Sequence, residues 1–327
     1  FVPDGYTVEQ SGDTYTVVKK AAASVAKVGD TEYTSLQDAI AAANAGDTVT
    51  LLADVETNNI TDDEASRIII SNPITLNLGA YTIKSPDNMG NNDTNFTALI
   101  IDADVTINAT TTGGIDTGIN GGYGLNIRNG ATLTINGGSF HDNTAITNGG
   151  AIVACNQTGG NHITTLTITG GEIYNNTAVN GGAVYMSTGT GLGTFTMTGG
   201  EIYENTADNG GAVYIATKGK VTLAAAEGAN VGGIIRDNTA SQLASNLYLG
   251  GADSSLTVGE NTLLYGGTIA GDVLFAQGGT VDLADTKDLH TDGIENADQL
   301  VWLKNDKETG DKAVRETADA QTIYTLA

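Results

Sequence analysis

The chain has 327 residues with 44 glycines, 3 prolines and a single cysteine, and 38 acidic against 14 basic residues give a formal charge of −24. Clustered Lys and Arg are what a nucleic-acid binder needs, so this balance excludes that class and disfavours an anionic membrane surface. Cys155 alone makes neither an internal disulfide nor a Cys-based metal cluster, and no run of ~18 apolar residues exists to form a transmembrane helix.

In chain order, the first segment reads DGYTVEQSGDTYTVVKK up to Lys20 and predicts a hairpin left from a preceding module, which sets residues 1–26 apart. The chain opens at Phe1 rather than Met, and we expect a piece excised from a larger protein. Ser35-Leu36-Gln37-Asp38 is a capping-box pattern opening a short helix from Leu36 to Asn44, with Leu36, Ala39, Ile40 and Ala43 on one face. Placed before GDTVTLL, the helix is expected to cap the first coil of the repeat region.

The central chain repeats itself. Leu166–Met186 reads LTITGGEIYNNTAVNGGAVYM and Phe195–Ile215 reads FTMTGGEIYENTADNGGAVYI. A looser copy begins at Leu133, and a degenerate one carries GGIIRDNTA at Gly232–Ala240. Self-similarity at this period marks a solenoid. Each copy divides into three short strands, in the best one Leu166–Thr169, Glu172–Tyr174 and Ala183–Met186, with Gly170-Gly171 and Asn175 to Gly182 as turns. Alternation puts Leu166, Ile168, Ile173, Val184 and Met186 inside, and Thr167, Thr169, Tyr174 and Tyr185 outside. A unit this small cannot bury its own face, so copies must stack into a parallel β-helix.

Aligned first strands start at Val49, Ile74, Val105, Leu133, Leu166, Phe195, Val221, Leu256 and Val281, which predicts about nine coils and a rod of roughly 45 Å. Extra residues fall after the third strand (Cys155–Thr165 and Ser187–Thr194). From Ala284 the repeat fades; residues 27–283 are assigned to the β-helix and 284–327 to a C-terminal cap, with strands expected around Leu300–Leu303 and Thr322–Leu326.

Stacking turns repeat positions into columns. Asn143, Asn176, Asn205 and Asn238 form a structural ladder in which side-chain amides satisfy turn backbone. Tyr185, Tyr214 and Tyr248 line one outer face, with Tyr174 and Tyr203 on another. Tyrosine offers a flat apolar ring and a hydroxyl, so these five are the candidate ligand-binding residues, against a plain cross-coil ladder as the alternative. Thr50, Thr75, Thr106, Thr134, Thr167, Thr196, Thr222 and Thr257 form an outward Thr column. Such arrays occur in ice-binding proteins, but ordinary β-propensity accounts for them.

No catalytic residue is assigned. Glu172 and Glu201 are stacked like charges rather than a distinct acid and base. His141, His162 and His290 share no metal-ligand spacing, and Cys155 has no base placed near it. Asp62-Asp63-Glu64 and Asp282/Asp285/Asp288 are loose acidic runs outside any calcium-loop pattern. No metal site or cofactor is therefore expected beyond weakly bound calcium.

The GGEIYNNTA and GGAVY units resemble right-handed parallel β-helix repeats of bacterial surface proteins within the pectate-lyase-like superfold. Gly149–Ile152, Gly181–Val184 and Gly210–Val213 look like the GGA(I/L/V) motif of polymorphic outer-membrane proteins and related adhesins. Phe140–Asn143 looks like their FxxN motif, which later copies alter by replacing Phe with Ile173 and Ile202. Lys27–Val55 looks like the start of β-helices in large Gram-positive, gut-type surface proteins. The resemblance implies a right-handed coil and an extracellular, non-enzymatic adhesin or stalk module, monomeric and not inserted in a membrane, meeting a host or environmental glycan, mucin or surface protein. The superfold also holds polysaccharide lyases and glycoside hydrolases. That enzyme class is the alternative, although the lyases' and hydrolases' motifs have no match here apart from an Asp62-Asp63 pair in an acidic loop.

Overall fold

A computed structural model describes residues 2–57, 68–84, 97–116, 123–155, 163–187, 191–229, 232–250, 254–258, 263–264, 273–275, 279–283, 302–304 and 314–316. They form an all-β parallel solenoid of about five turns in its most regular stretch. Strands of one kind lie over their copies from the next rung. Leu133 pairs with Val105 on one side and Leu166 on the other, and the series runs on through Phe195, Val221, Leu256 and Val281. The second strands stack as Phe140, Ile173, Ile202 and Ile235. An 8-stranded sheet carries the third strands, among them Ile152–Cys155, Val184–Ser187, Val213–Ile215 and Leu247–Leu249.

One expectation is corrected by this geometry and another extended. The first and second strands of the best repeat are one bent strand, Thr164–Tyr174, which turns its corner at Gly170-Gly171 without leaving the ladder; Thr132–His141 does the same at Gly137-Gly138. The turn expected over Asn175 to Gly182 is itself stacked, because Thr144 bridges Thr177 and Thr177 bridges Thr206, while Asn180 bridges Asn148 and Asn209. Backbone pairing thus continues around nearly the whole rung, and few turn amides are left to solvent.

Alternation decides the interior. Leu166, Ile168, Ile173, Val184 and Met186 are at most 1 % exposed, whereas Thr167, Tyr174 and Tyr185 are half-buried and Thr169 is exposed. Phe140 and Phe195 are the largest fully buried side chains.

Before the first parallel strand the chain turns antiparallel. Ala26–Val28 and Thr31–Tyr33 form a hairpin, and Ala26–Val28 also pairs antiparallel with Thr48–Leu51, covering that strand's edge. The helix runs Leu36–Ala42, two residues shorter than expected, and Ser35 accepts a hydrogen bond from the Asp38 amide. Its Leu36, Ala39 and Ile40, with Ala43 just beyond, are buried. Tyr6–Ser11 and Thr14–Lys19 form the separate N-terminal hairpin. Trp302–Lys304 pairs antiparallel with Val314–Glu316, and the strand expected around Thr322–Leu326 lies outside the described residues.

Candidate functional site

The Gly-Gly corners stack into a column. A Cβ on Gly171 would lie 2.6 Å from the Gly138 carbonyl oxygen, and the Gly171 backbone is left-handed at φ 94. Only glycine meets both demands. Next to each corner the first outward residue of the second strand completes a rank, in which Ser139, Glu172, Glu201 and Ile234 lie in register. Together with Ala109, Thr110, Thr111 and Asn136 these residues line an open groove of about 710 Å³ running across rungs. That size lies in the roughly 300–1,000 Å³ range of small-ligand clefts.

The charges of the groove are held by neighbours. Arg236 donates through Nε to the Glu201 carboxylate and through Nη1 to Asp237 at 2.6 Å. The Tyr203 hydroxyl donates to Glu172 at 3.3 Å. On the other wall Asn136 donates to the Asn108 side chain at 2.8 Å, and the Thr169 hydroxyl donates to Asn136 at 2.6 Å. Glu172 and Glu201 are in register, each with its own hydrogen-bonding partner.

The two predicted aromatic columns lie on different sheets. On the second face Tyr174 stacks on Tyr203 with centroids 5.0 Å apart, His141 stacks on Tyr174 at 4.9 Å, and the Arg236 guanidinium lies 4.6 Å over Tyr203. On the third face Tyr185, Tyr214 and Tyr248 stack at 5.5 and 4.2 Å. A rung spacing of ~4.8 Å brings parallel rings to contact distance. The inner rings therefore spend their faces on each other, and the Tyr203 hydroxyl is spent on Glu172. Arg236 and His141 join columns predicted from tyrosine alone, although aligning GGIIRDNTA with GGEIYENTA places Arg236 at the Tyr203 position.

Burial, then the Glu172 carboxylate beside it, push the Tyr203 phenol up to about 12. Burial also raises Tyr174, Tyr185 and Tyr214. Because the folded value for Tyr203 exceeds that of an unfolded tyrosine, the folded state keeps its proton longer, and stability falls as pH rises from about 10 to about 12. Denaturant midpoints measured from pH 9 to 12 should show this fall, and Tyr203→Phe should make it shallower. An identical slope in that variant would contradict the assignment.

The Asn ladder is fully buried. Asn143 donates to the Asn176 side-chain oxygen at 2.6 Å, Asn176 to Asn205 at 2.9 Å and Asn205 to Asn238 at 3.0 Å. The residues just before them, Asp142, Asn175, Glu204 and Asp237, have positive φ between 52 and 57 and make the sharp bend. In the first-face column Thr48, not Thr50, pairs with Thr75; Thr50 lies beside Asn77.

Cys155 is half-buried and donates to the Asn126 side chain at 3.4 Å. His162, His290, Asp62-Asp63-Glu64, Asp285 and Asp288 lie outside the described residues, and Asp282 is described only as strand backbone. Among the described residues no three His, Cys, Asp or Glu side chains gather as a metal ion would require. No protein-family model, curated protein or solved structure matches the chain.

Proposed function

We propose that the chain is a non-enzymatic module of a bacterial cell-surface or secreted protein, a right-handed parallel β-helix of about nine coils that presents an extended face to a glycan or protein ligand. The helix Leu36–Ala42 and its neighbouring antiparallel hairpin act as the N-terminal cap, and residues 284–327 supply the cap at the other end. The observation that carries the reading is the corner groove, which crosses rungs with a glycine floor, hydroxyl and amide walls, and two carboxylates held by Tyr203 and Arg236. Tyr203 reaches it through its hydroxyl on Glu172, and Tyr174 stacks on Tyr203. The Tyr185–Tyr214–Tyr248 column offers a second, flatter surface.

A groove this open holds each ligand unit weakly, and display of many copies supplies avidity. A glycan and mucin array probed with the multivalently displayed protein, with and without calcium, tests the reading. The expected result is spot-specific binding with no new reducing ends in the supernatant. Product release would replace this reading with the polysaccharide-cleaving one, and silence across glycan, mucin and surface-protein spots would leave a spacer.

A further inference from the structure

We infer that the corner groove takes an uncharged, hydroxyl-rich glycan chain lying along the solenoid axis, and that Glu172 and Glu201 set its selectivity against polyanionic glycans. The inference rests on the proposal that the groove is the binding face.

Length and repeat come first. The lining passes through successive rungs at Thr110–Thr111, Ser139, Glu172, Glu201 and Ile234, which at the parallel-strand spacing is ~19 Å. A pyranose unit is about as long as one rung, so a linear chain meets a comparable corner at each step. A globular ligand would use only part of this length.

Chemistry then selects the chain. The charged side chains in the lining are Glu172 and Glu201, which as carboxylates only accept hydrogen bonds. A neutral sugar supplies hydroxyl donors to their free lone pairs and to the Ser139 and Thr110 oxygens, whose own protons go to the Thr111 and Gly79 carbonyls, and it accepts in turn from the Thr111 hydroxyl and the Asn136 amide. Charge-assisted bonds of this kind are the strong ones. A uronate or sialate would set its own carboxylate against these two, and the net charge of −24 adds long-range repulsion that salt screens. An amino sugar has less to gain than the carboxylates alone would offer, because Arg236 already pairs with Glu201.

The test is affinity electrophoresis of the protein through gels holding laminarin, mannan, polygalacturonate or chitosan, at low and physiological salt. Wild type is compared with Glu172→Gln/Glu201→Gln and with Thr111→Trp, an exposed position where an indole would fill the groove while sparing the core. A neutral polymer should retard the wild type most, with affinity down about tenfold in Thr111→Trp and several-fold in the double Gln variant, whose exclusion of polygalacturonate should also relax. Polygalacturonate binding that equals the neutral polymers and disappears in Thr111→Trp would overturn the selectivity while leaving the groove as the site. Neutral binding that survives Thr111→Trp would overturn both. Retardation of the wild type by none of the polymers would overturn the inference, and the protein and mucin spots of the array would then decide the groove reading separately. Matching wild-type circular dichroism in each variant separates loss of binding from loss of fold.

Discussion

Asn176→Ala should destabilise the solenoid by roughly 3–5 kcal/mol, the sum of several buried polar groups losing partners at ~1–3 kcal/mol each with partial relaxation. The Asn176 amide donates to the carbonyl oxygens of Phe140 and Tyr174 at 2.9 and 2.8 Å and to the Asn205 side chain at 2.9 Å. Its oxygen accepts from both the backbone and the side chain of Asn143. Alanine removes all of these at a site with 0 % exposure, and water cannot easily replace them. Asn180 supplies the comparison. It sits in a parallel amide ladder with Asn148 and Asn209 at 3.0 Å on each side, but in a half-buried turn. Asn180→Ala should cost about 1 kcal/mol or less. Urea midpoints at unchanged slope read the difference, and equal losses in the two variants would mean that burial is not what makes the inner ladder matter.

Gly182→Ala should be at least as damaging, costing about 3 kcal/mol or more, or preventing recovery of folded protein. A Cβ there would lie 2.3 Å from the Gly211 carbonyl oxygen and 2.8 Å from that of Thr206. Both obstacles are backbone of the next rung, whose position is set by the strand ladder and cannot yield as a flexible side chain would. Gly79 isolates the other reason for glycine. Its φ is +58 with nothing within 4 Å of an added Cβ, so Gly79→Ala carries only the left-handed backbone cost of ~1–2 kcal/mol. Thermal and urea unfolding of the two variants should rank them in that order. A mild Gly182→Ala would mean that the rungs separate more readily than their register implies.

How far the sequence anticipates this architecture depends on which physical signal each element leaves. Inward and outward residues are legible because strand alternation has a period of two and the core is apolar throughout. Register between rungs is legible wherever the Gly-Gly corner and the NTA turn recur, as in the series from Leu133 to Val221. It fails at Val49, which pairs with Leu76 rather than Ile74. A two-residue slip leaves TVTLL with the same inward face, so hydrophobicity cannot detect it. What sets it is backbone: Gly46 donates to the Pro73 carbonyl and Thr75 to that of Asp47, at 2.7 and 2.9 Å. The antiparallel hairpin over the first strand's edge has a signal in Val28-Gly29-Asp30-Thr31, with Gly29 at φ 57, but its strands are too short for alternation to mark them.

The candidate site is legible in its parts and not in its combination. Glu172 over Glu201 and Tyr174 over Tyr203 follow from the repeat alone. That the ring faces are occupied by stacking follows from the rung spacing and lowers the weight of the tyrosines as sugar platforms. That Arg236 lies over Tyr203 and pairs with Glu201 beneath it depends on a degenerate repeat in which Tyr is replaced. The groove itself arises from the bend at Gly137-Gly138 and Gly170-Gly171, where one continuous strand changes direction, and strand patterns alone do not reveal such a concavity.

The most direct measurement of the central claim compares array binding of the displayed wild-type protein with that of Thr111→Trp and Tyr185→Ala/Tyr214→Ala. The account predicts that filling the groove lowers apparent affinity about tenfold, while breaking the third-face aromatic column leaves most of it. Binding that survives in Thr111→Trp and is lost in the double Tyr variant would contradict it, and would place the ligand on the tyrosine ladder instead.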